Sequence, residues 1–218
     1  MLARLYDLLT APIERRALRR WRAILWRRLD TLLTTPSSAP DGSEAARDPR
    51  PLGLEVGVGT GANLPHYPAG GRIVAVDRSE DMLRRARSRL DEAPQGPAAV
   101  WLVQADAAVL PFRDTTFAWA AETFVFCEVD DPVAGLAEIG RVLRPHAPLL
   151  MLEHVRPRGW RGRVASLVTR VTARLWGEHL DRDAAGAVRA AGLSLTQETW
   201  LWRDVVTMIE ARPGAGKR

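Results

Sequence analysis

The segment Leu54-Glu55-Val56-Gly57-Val58-Gly59-Thr60-Gly61 constrains this chain most, because it predicts a buried strand that runs into a tight glycine turn. Glycines at alternate positions permit positive φ angles and remove the Cβ atoms that would block a bound ligand. A carboxylate, Glu55, lies two residues before the first glycine. Because a carboxylate repels phosphate, this turn favours a cationic or hydroxyl-bearing ligand.

The composition is that of one globular α/β domain. A chain of 218 residues with 46% hydrophobic residues is long enough to bury one large core, whereas two domains would be cramped. Its one cysteine, Cys127, excludes an intramolecular disulfide and a cysteine-based zinc site. No signal-peptide pattern and no run of eighteen apolar residues is present, so we expect a cytoplasmic chain without membrane spans.

The net charge of +5 belongs to the N-terminal segment. Residues 1–33 contain eight arginines and three acidic residues, and the rest of the chain is neutral. A nucleic-acid-binding surface across the domain is therefore not predicted.

Four regions follow from the patterning. Residues 1–33 have apolar groups at helical spacing, interrupted near Pro12, and are predicted to form an amphipathic helical cap. Residues 34–51 are rich in Pro, Ser, Asp and Gly and are predicted to be a flexible linker. The main domain is expected at 52–213, followed by a tail at 214–218.

Strand-like and helix-like runs alternate within the main domain. Strands are predicted at 52–57, 72–77, 100–105, 117–126 and 148–154, and helices near 61–66, 79–90, 132–144, 161–176 and 182–191. Ser79 and Asp131-Pro132 are good starts for two of the helices. Apolar strands between helices indicate a doubly wound parallel sheet with helices on both faces. The runs at 194–202 and 204–211, separated at Arg203, predict an antiparallel hairpin at the edge and bring the sheet to seven strands.

The glycine turn is compatible with two cofactors, a nicotinamide dinucleotide and S-adenosylmethionine, because Gly57 to Ala62 also fits the looser dinucleotide pattern GxGxxA. Asp77 ends the second strand, where its two oxygens suit the hydroxyls of an adenosine ribose in either cofactor. Asp106 follows the third strand, where it suits the adenine amino group. Glu55 favours the methionyl ammonium of S-adenosylmethionine (SAM), which it would receive through water or the backbone.

The motifs taken in order resemble those of the class I SAM-dependent methyltransferases. LEVGVGTG is similar to the first motif of that family, AVDRSEDML to its second-strand motif and QADAAVLPF to its adenine-side motif. FAWAAETFVFCEVDDP and LAEIGRVLRPHAPLLMLEH resemble the fourth and fifth strands with the helix between them. GTGANLPHYP, MLEHVRP and LWGEHLDRD resemble the type-11 methyltransferases grouped with phospholipid N-methyltransferases and methyltransferase-like thiol enzymes.

The resemblance implies a Rossmann-like fold, SAM as methyl donor, S-adenosylhomocysteine as product and a set of cofactor-binding residues. Tyr6 resembles the aromatic that covers SAM in many of these enzymes, although an aromatic packed between helix and domain would look the same. The other implied cofactor residues are Glu55, Gly57, Val58, Gly59, Gly61, Asn63, Asp77, Arg78, Met82, Asp106, Ala107 and Thr123.

Two histidines are the candidates for contact with the methyl acceptor. His154 ends the fifth strand, where ligand sites form in such sheets, and it is predicted to orient or deprotonate the acceptor. The resemblance places His179 over the acceptor, next to Glu178. A strand-end histidine with a hydrogen bond and a solvated loop are the structural alternatives for these two residues.

The chain departs from the family pattern at two places. Phe117-Ala118-Trp119 replaces an acid early in the fourth strand, and His146-Ala147 replaces a double glycine. Neither change removes a predicted ligand contact, but the second is expected to alter a turn near the pocket.

The acceptor is expected to be small and hydrophobic or lipid-like, with N- or S-methylation ahead of C-methylation of a quinone precursor. A SAM-binding regulatory or membrane-docking protein without turnover and a nicotinamide oxidoreductase are the other hypotheses.

The composition of the first helix also suits the inner membrane surface. One side carries Leu18, Trp21, Leu25, Trp26 and Leu29, and the other carries arginines between 15 and 28. A second stretch, from Arg156 to Trp176, has a similar composition. Packing of the apolar face over SAM is the alternative.

Overall fold

The computed structural model describes residues 18–34, 51–92, 99–127, 129–154, 183–202 and 205–214. Its α-helices are α1 (Arg19–Thr34), α2 (Glu80–Glu92), α3 (Pro132–Val142) and α4 (Ala184–Ala190), and a 3₁₀ turn covers Leu64–His66. Its strands are β1 (Leu52–Val56), β2 (Arg72–Asp77), β3 (Ala99–Gln104), β4 (Trp119–Thr123), β5 (Leu149–His154), β6 (Leu193–Trp202) and β7 (Val206–Pro213).

The seven strands form one sheet in the order β3-β2-β1-β4-β5-β7-β6. The pairs from β3 to β5 are parallel, and β7 is antiparallel to both β5 and β6. The predicted doubly wound sheet and its antiparallel hairpin are therefore confirmed, with the antiparallel strand one place in from the edge. The strand order reverses between β1 and β4, which makes their carboxyl ends the expected ligand site.

Apolar clusters cover both faces of the sheet, as a mostly parallel sheet requires. On one face, Leu54 and Met151 pack with Leu136 and Ile139 of α3. On the other face, Ile73 and Leu150 belong to the same cluster as the apolar side chains of α1. These strand residues are all fully buried, so the sheet lies at the centre of the domain.

The apolar side of α1 packs on the sheet. Its Leu25, Trp26 and Leu29 are buried, and the Trp26 ring lies 4.9 Å from Tyr67 and 5.8 Å from Trp119. These side chains are therefore not available to a bilayer, and of the two interpretations of this helix the structure favours packing. Within the described residues, no helix is both long and apolar enough to cross a membrane.

The element boundaries follow the predictions with two differences. The predicted helix at 61–66 is only a 3₁₀ turn, since Gly61 has φ +85° and cannot continue a helix. The strand predicted at 117–126 covers only Trp119–Thr123, because Phe124 has a φ of +59° that breaks the extended backbone. The Asp131 cap is confirmed by a 3.0 Å bond that its carboxylate accepts from the Ala134 amide.

The expectation that His146 alters a turn near the pocket is wrong. His146 takes the left-handed backbone that a glycine would favour, with φ +62°. The turn precedes β5 and therefore lies at the amino end of that strand, whereas the ligand cavity described below opens at the carboxyl ends. The departure from the double glycine is thus a matter of local backbone strain, at a distance from the residues that line the cavity.

Several predictions fall outside the described residues. They include Tyr6, His179, most of the linker at 34–51 and the helix at 161–176. The division of the chain into cap, linker, domain and tail stays a prediction.

Candidate cofactor site

A cavity of about 420 Å³ lies at the carboxyl ends of β1 to β4. Its position matches the reversal in strand order, and its volume is in the range of small-molecule sites. Nine of the predicted cofactor residues line it: Gly57, Val58, Gly59, Asp77, Arg78, Met82, Asp106, Ala107 and Thr123.

The glycine turn forms the floor of this cavity. Gly57, Gly59 and Gly61 all have positive φ angles, of +70°, +54° and +85°. A Cβ on Gly57 would lie 2.2 Å from Val125, so a side chain at this position has no room. A Cβ on Gly59 would meet no atom within 4 Å, which leaves open space for a ligand above the turn.

Asp77 is held by the turn that it faces. One carboxylate oxygen accepts the Gly59 amide at 2.8 Å, and the other accepts the Ser79 amide at 2.8 Å. A carboxylate has about four acceptor positions, so each oxygen retains capacity for a ligand hydroxyl. The Gly59 and Ser79 amides therefore fix the orientation of the Asp77 side chain in the cavity.

Asp106 marks the other end of the cavity, two residues after β3. Its Oδ1 accepts the Ala108 amide at 2.8 Å, and the side chain is exposed to solvent. Arg78 and Met82 line the same cavity. The predicted contacts of Asp77 with the ribose and of Asp106 with adenine stay predictions.

Glu55 does not line the cavity. It is fully buried, and it accepts hydrogen bonds from the Asn63 amide and the Tyr67 hydroxyl. Burial raises the pKa of this carboxyl to about 7, against the opposing effects of the Asn63 hydrogen bond and the Arg22 charge. Gly61 is likewise outside the lining, so the structure assigns Glu55, Asn63 and Gly61 a supporting place behind the cavity wall.

Arg22 is a cavity residue that the sequence interpretation missed. It is 6% exposed, and its Nη1 donates to Asn63 Oδ1 at 3.1 Å and to the Thr123 hydroxyl. The interpretation placed it with the solvent-facing arginines. Its spacing indicates the opposite, because Arg22 comes four residues after Leu18 and three before Leu25, on the apolar stripe of α1. A charged residue within such a stripe is the sequence feature that could have predicted the burial of Arg22.

Phe124 is a second missed residue. It follows β4 with a φ of +59°, lines the cavity and lies 5.7 Å below the Arg22 guanidinium carbon. A bulky residue rarely adopts this backbone, and such strain is concentrated at functional sites. Packing between Arg22 and His154 holds it there.

His154 lies behind Phe124, outside the cavity lining. The two rings stack with centroids 4.4 Å apart. Burial lowers the pKa of His154 to about 4, so the imidazole is neutral at physiological pH and is a weaker base than an ordinary histidine. This position favours the orienting role over the deprotonating role that the sequence left open.

A pair of buried carboxyl groups supports the loop that carries Phe124. Glu153 accepts the Val125 and Phe126 amides at 3.2 and 2.8 Å, and Glu122 accepts the Val125 amide at 3.3 Å. Burial, the Glu153 charge and a hydrogen bond between the two carboxyls raise the pKa of Glu122. Two like charges this close favour a shared proton. The pair therefore fixes the cavity wall from below.

Comparison with known proteins agrees with this site. Residues 54–151 match the family described as "Methyltransferase domain". The chain is 37% identical over 101 residues to phosphatidylethanolamine N-methyltransferase of Cereibacter sphaeroides, covering 46% of this chain and 49% of that protein. It is 31% identical over 150 residues to thiol S-methyltransferase TMT1B of Mus musculus, covering 67% of this chain and 62% of that protein. It is 36% identical over 133 residues to demethylmenaquinone methyltransferase of Clavibacter sepedonicus, covering 61% of this chain and 49% of that protein.

The fold has solved counterparts as well. The [4+2]-cyclase SpnF superposes with a TM-score of 0.63 at 18% identity, over 88% of this chain and 82% of that one. At this identity the match concerns the fold alone. The chain spans about half to three fifths of the length of the three curated relatives. Residues 54–151, somewhat under half of the chain, match a methyltransferase domain, and SAM is the cofactor that this match supports.

Proposed function

We propose that the chain transfers a methyl group from SAM to a small hydrophobic or lipid-like acceptor, with nitrogen and sulfur ahead of carbon. The charge of the cavity carries this proposal. Among the residues that the structure describes, four aspartates and two arginines line it: Asp77, Asp106, Asp130, Asp131, Arg22 and Arg78. An excess of carboxylates suits a sulfonium cation and repels the pyrophosphate of a dinucleotide.

The lining residues fit SAM. Asp77 would accept the ribose hydroxyls, Asp106 would accept the adenine amino group, and the open space above Gly59 admits the ligand against the backbone. Bound SAM supplies an electrophilic methyl group on a positively charged sulfur. The chain has to align the acceptor with that group and keep water out. An amine or thiol acceptor would lose its proton to solvent before transfer, and the sulfonium would leave as neutral S-adenosylhomocysteine.

The names of the relatives support the acceptor classes. They comprise an N-methyltransferase for phosphatidylethanolamine, a thiol S-methyltransferase and a methyltransferase for demethylmenaquinone. Two of these three acceptors are lipids. In this proposal His154 orients the acceptor through its contact with Phe124, because a histidine with a pKa of about 4 accepts protons poorly near neutral pH.

Radiolabelled SAM distinguishes the acceptor classes. We expect label in an organic-soluble product when the protein is incubated with phosphatidylethanolamine vesicles or an alkyl thiol, and less or none with a demethylated quinone. Label in the quinone alone would establish the C-methylation alternative. S-adenosylhomocysteine binding without label in any acceptor would support a SAM-binding protein without turnover. NADH binding without S-adenosylhomocysteine binding would contradict the proposal altogether.

We also propose that the surface around Trp21 and Trp202 contacts an anionic membrane. These indole rings lie 6.1 Å apart, and Trp202 is 49% exposed. Arg19 and Arg20, which precede Trp21 in α1, are exposed as well. Tryptophan favours the membrane interface, and each arginine near an anionic surface adds about 1 kcal/mol. The positive charge concentrated in residues 1–33 complements such a surface.

Vesicle sedimentation tests this contact. We expect the protein to pellet with vesicles that contain phosphatidylserine and to stay in solution with pure phosphatidylcholine. Trp202→Gln should lower the pelleted fraction. Trp101→Gln is the matched control, because Trp101 is 48% exposed on β3 at the other edge of the sheet. Pelleting that is independent of lipid charge, or equal losses in both variants, would contradict the proposed surface.

A further inference from the structure

We propose that Arg22 of α1 binds the carboxylate at the methionine end of SAM, so that the N-terminal helix supplies one wall of the cofactor site. This inference rests on the proposed function. It adds a residue outside the matched methyltransferase segment, which begins at residue 54.

The order of groups along the sheet edge places the methionine end of the ligand near Arg22. The strands run β3-β2-β1-β4, with Asp106 after β3, Asp77 at the end of β2 and Thr123 at the end of β4. SAM is a linear ligand whose adenine, ribose and amino-acid portions follow one another. With adenine at Asp106 and ribose at Asp77, the amino-acid portion extends towards β4, where Arg22 contacts Thr123.

The charges in the lining support this assignment. Within the described part of the chain, Arg22 and Arg78 are the cations that line the cavity. Arg78 comes directly after β2, at the adenosine end, and it is largely exposed with Asp130 at 4.0 Å. Arg22, in contrast, is 6% exposed at the β4 end. A carboxylate in this part of the cavity therefore meets the Arg22 guanidinium.

The surroundings of Arg22 orient it for such a contact. The oxygens of Asn63 and Thr123 both accept hydrogen bonds from Nη1, and the Phe124 ring lies beneath the guanidinium. Glu55 lies behind Asn63, so the network continues into the core. A guanidinium presents its N–H groups as a planar fork that matches the two oxygens of a carboxylate. A fixed fork loses little side-chain entropy when it binds.

The test compares two ligands that differ at the methionine end. S-adenosylhomocysteine carries the amino-acid carboxylate, and 5′-methylthioadenosine lacks the whole amino-acid group. By isothermal titration calorimetry, we expect Arg22→Gln to lower the affinity for S-adenosylhomocysteine by roughly 10- to 100-fold. The affinity for 5′-methylthioadenosine should change by less than about threefold, because this ligand makes no contact with Arg22.

Arg28→Gln is the matched control on the same helix. Arg28 pairs with Glu210 of β7 at 2.7 and 3.0 Å and does not line the cavity. Its loss should lower the melting temperature and leave both affinities unchanged. Arg22→Lys keeps the charge and should recover part of the S-adenosylhomocysteine affinity, and it serves as the second variant if Arg22→Gln folds poorly.

The outcomes separate this inference from the proposed function. Equal losses for both ligands in Arg22→Gln, or no loss for either, would overturn the role of Arg22 as the carboxylate ligand. If Arg22→Gln does not fold, Arg22→Lys must still weaken S-adenosylhomocysteine more than 5′-methylthioadenosine, and otherwise the assignment is wrong. Failure of the unaltered protein to bind either ligand would instead contradict the SAM site itself.

Discussion

Asp77→Ala is expected to lower the affinity for S-adenosylhomocysteine by at least about 100-fold, because two hydrogen bonds to a charged acceptor are lost together. The carboxylate also accepts the Gly59 and Ser79 amides at 2.8 Å, so its removal frees the turn that forms the cavity floor. Isothermal titration calorimetry measures the affinity. Asp77→Asn keeps one acceptor oxygen and should give an intermediate loss.

Asp81→Ala is the control for this change. Asp81 lies four residues further along, pairs with Arg84 on the surface of α2 and does not line the cavity. It should bind S-adenosylhomocysteine as the unaltered protein does. Circular dichroism shows whether each variant is folded. Affinity retained in a folded Asp77→Ala variant would mean that the ribose does not bind at the end of β2.

Glu55→Gln is expected to stabilise the protein above about pH 7 by about 3 kcal/mol. The pKa of Glu55 is raised from 4.5 to about 7 in the folded state, mainly by burial. Between these values the folded chain binds more protons than the unfolded chain, so the contribution of this group to stability falls as pH rises from 4.5 to 7. Above pH 7 the penalty is complete. Glutamine carries no charge, so the substitution removes this penalty.

Urea denaturation at several pH values measures this effect. The gain in the free energy of unfolding should be close to zero at pH 4.5 and should reach its maximum near pH 7. Glu198→Gln on the exposed surface of β6 is the control and should show no such trend. A gain that is the same at every pH would mean that folding does not raise the pKa of Glu55.

Local spacing was enough to predict that the residues proposed to bind adenosine lie together. Gly57 and Gly59 belong to one turn. Asp77 is the last residue of β2, and Asp106 comes two residues after the end of β3. Parallel strands place their carboxyl ends at one edge of the sheet, so the predicted strands already brought these groups together. The structure bears out that placement in one cavity.

The methionine side depended on contacts between distant segments. Arg22 reaches Thr123 across 101 residues of chain, and no local pattern reports that distance. The backbone of Phe124 and the raised pKa of Glu122 beside Glu153 likewise arise from packing between β4, β5 and α1. Glu55 shows the same limit, since its spacing from the glycines suggested a ligand contact and its burial behind Asn63 removed it from the cavity.

The sequence by itself determined the sheet, its switch point and the residues that the carboxyl ends of β1 to β3 bring to the cavity, because hydrophobic periodicity and glycine spacing are local properties of the chain. The tertiary structure decided which face of α1 is buried, which arginine enters the cavity and which carboxyls are withdrawn from it. Those outcomes depend on how helices pack across a sheet, where burial and neighbouring charges decide the environment of each side chain.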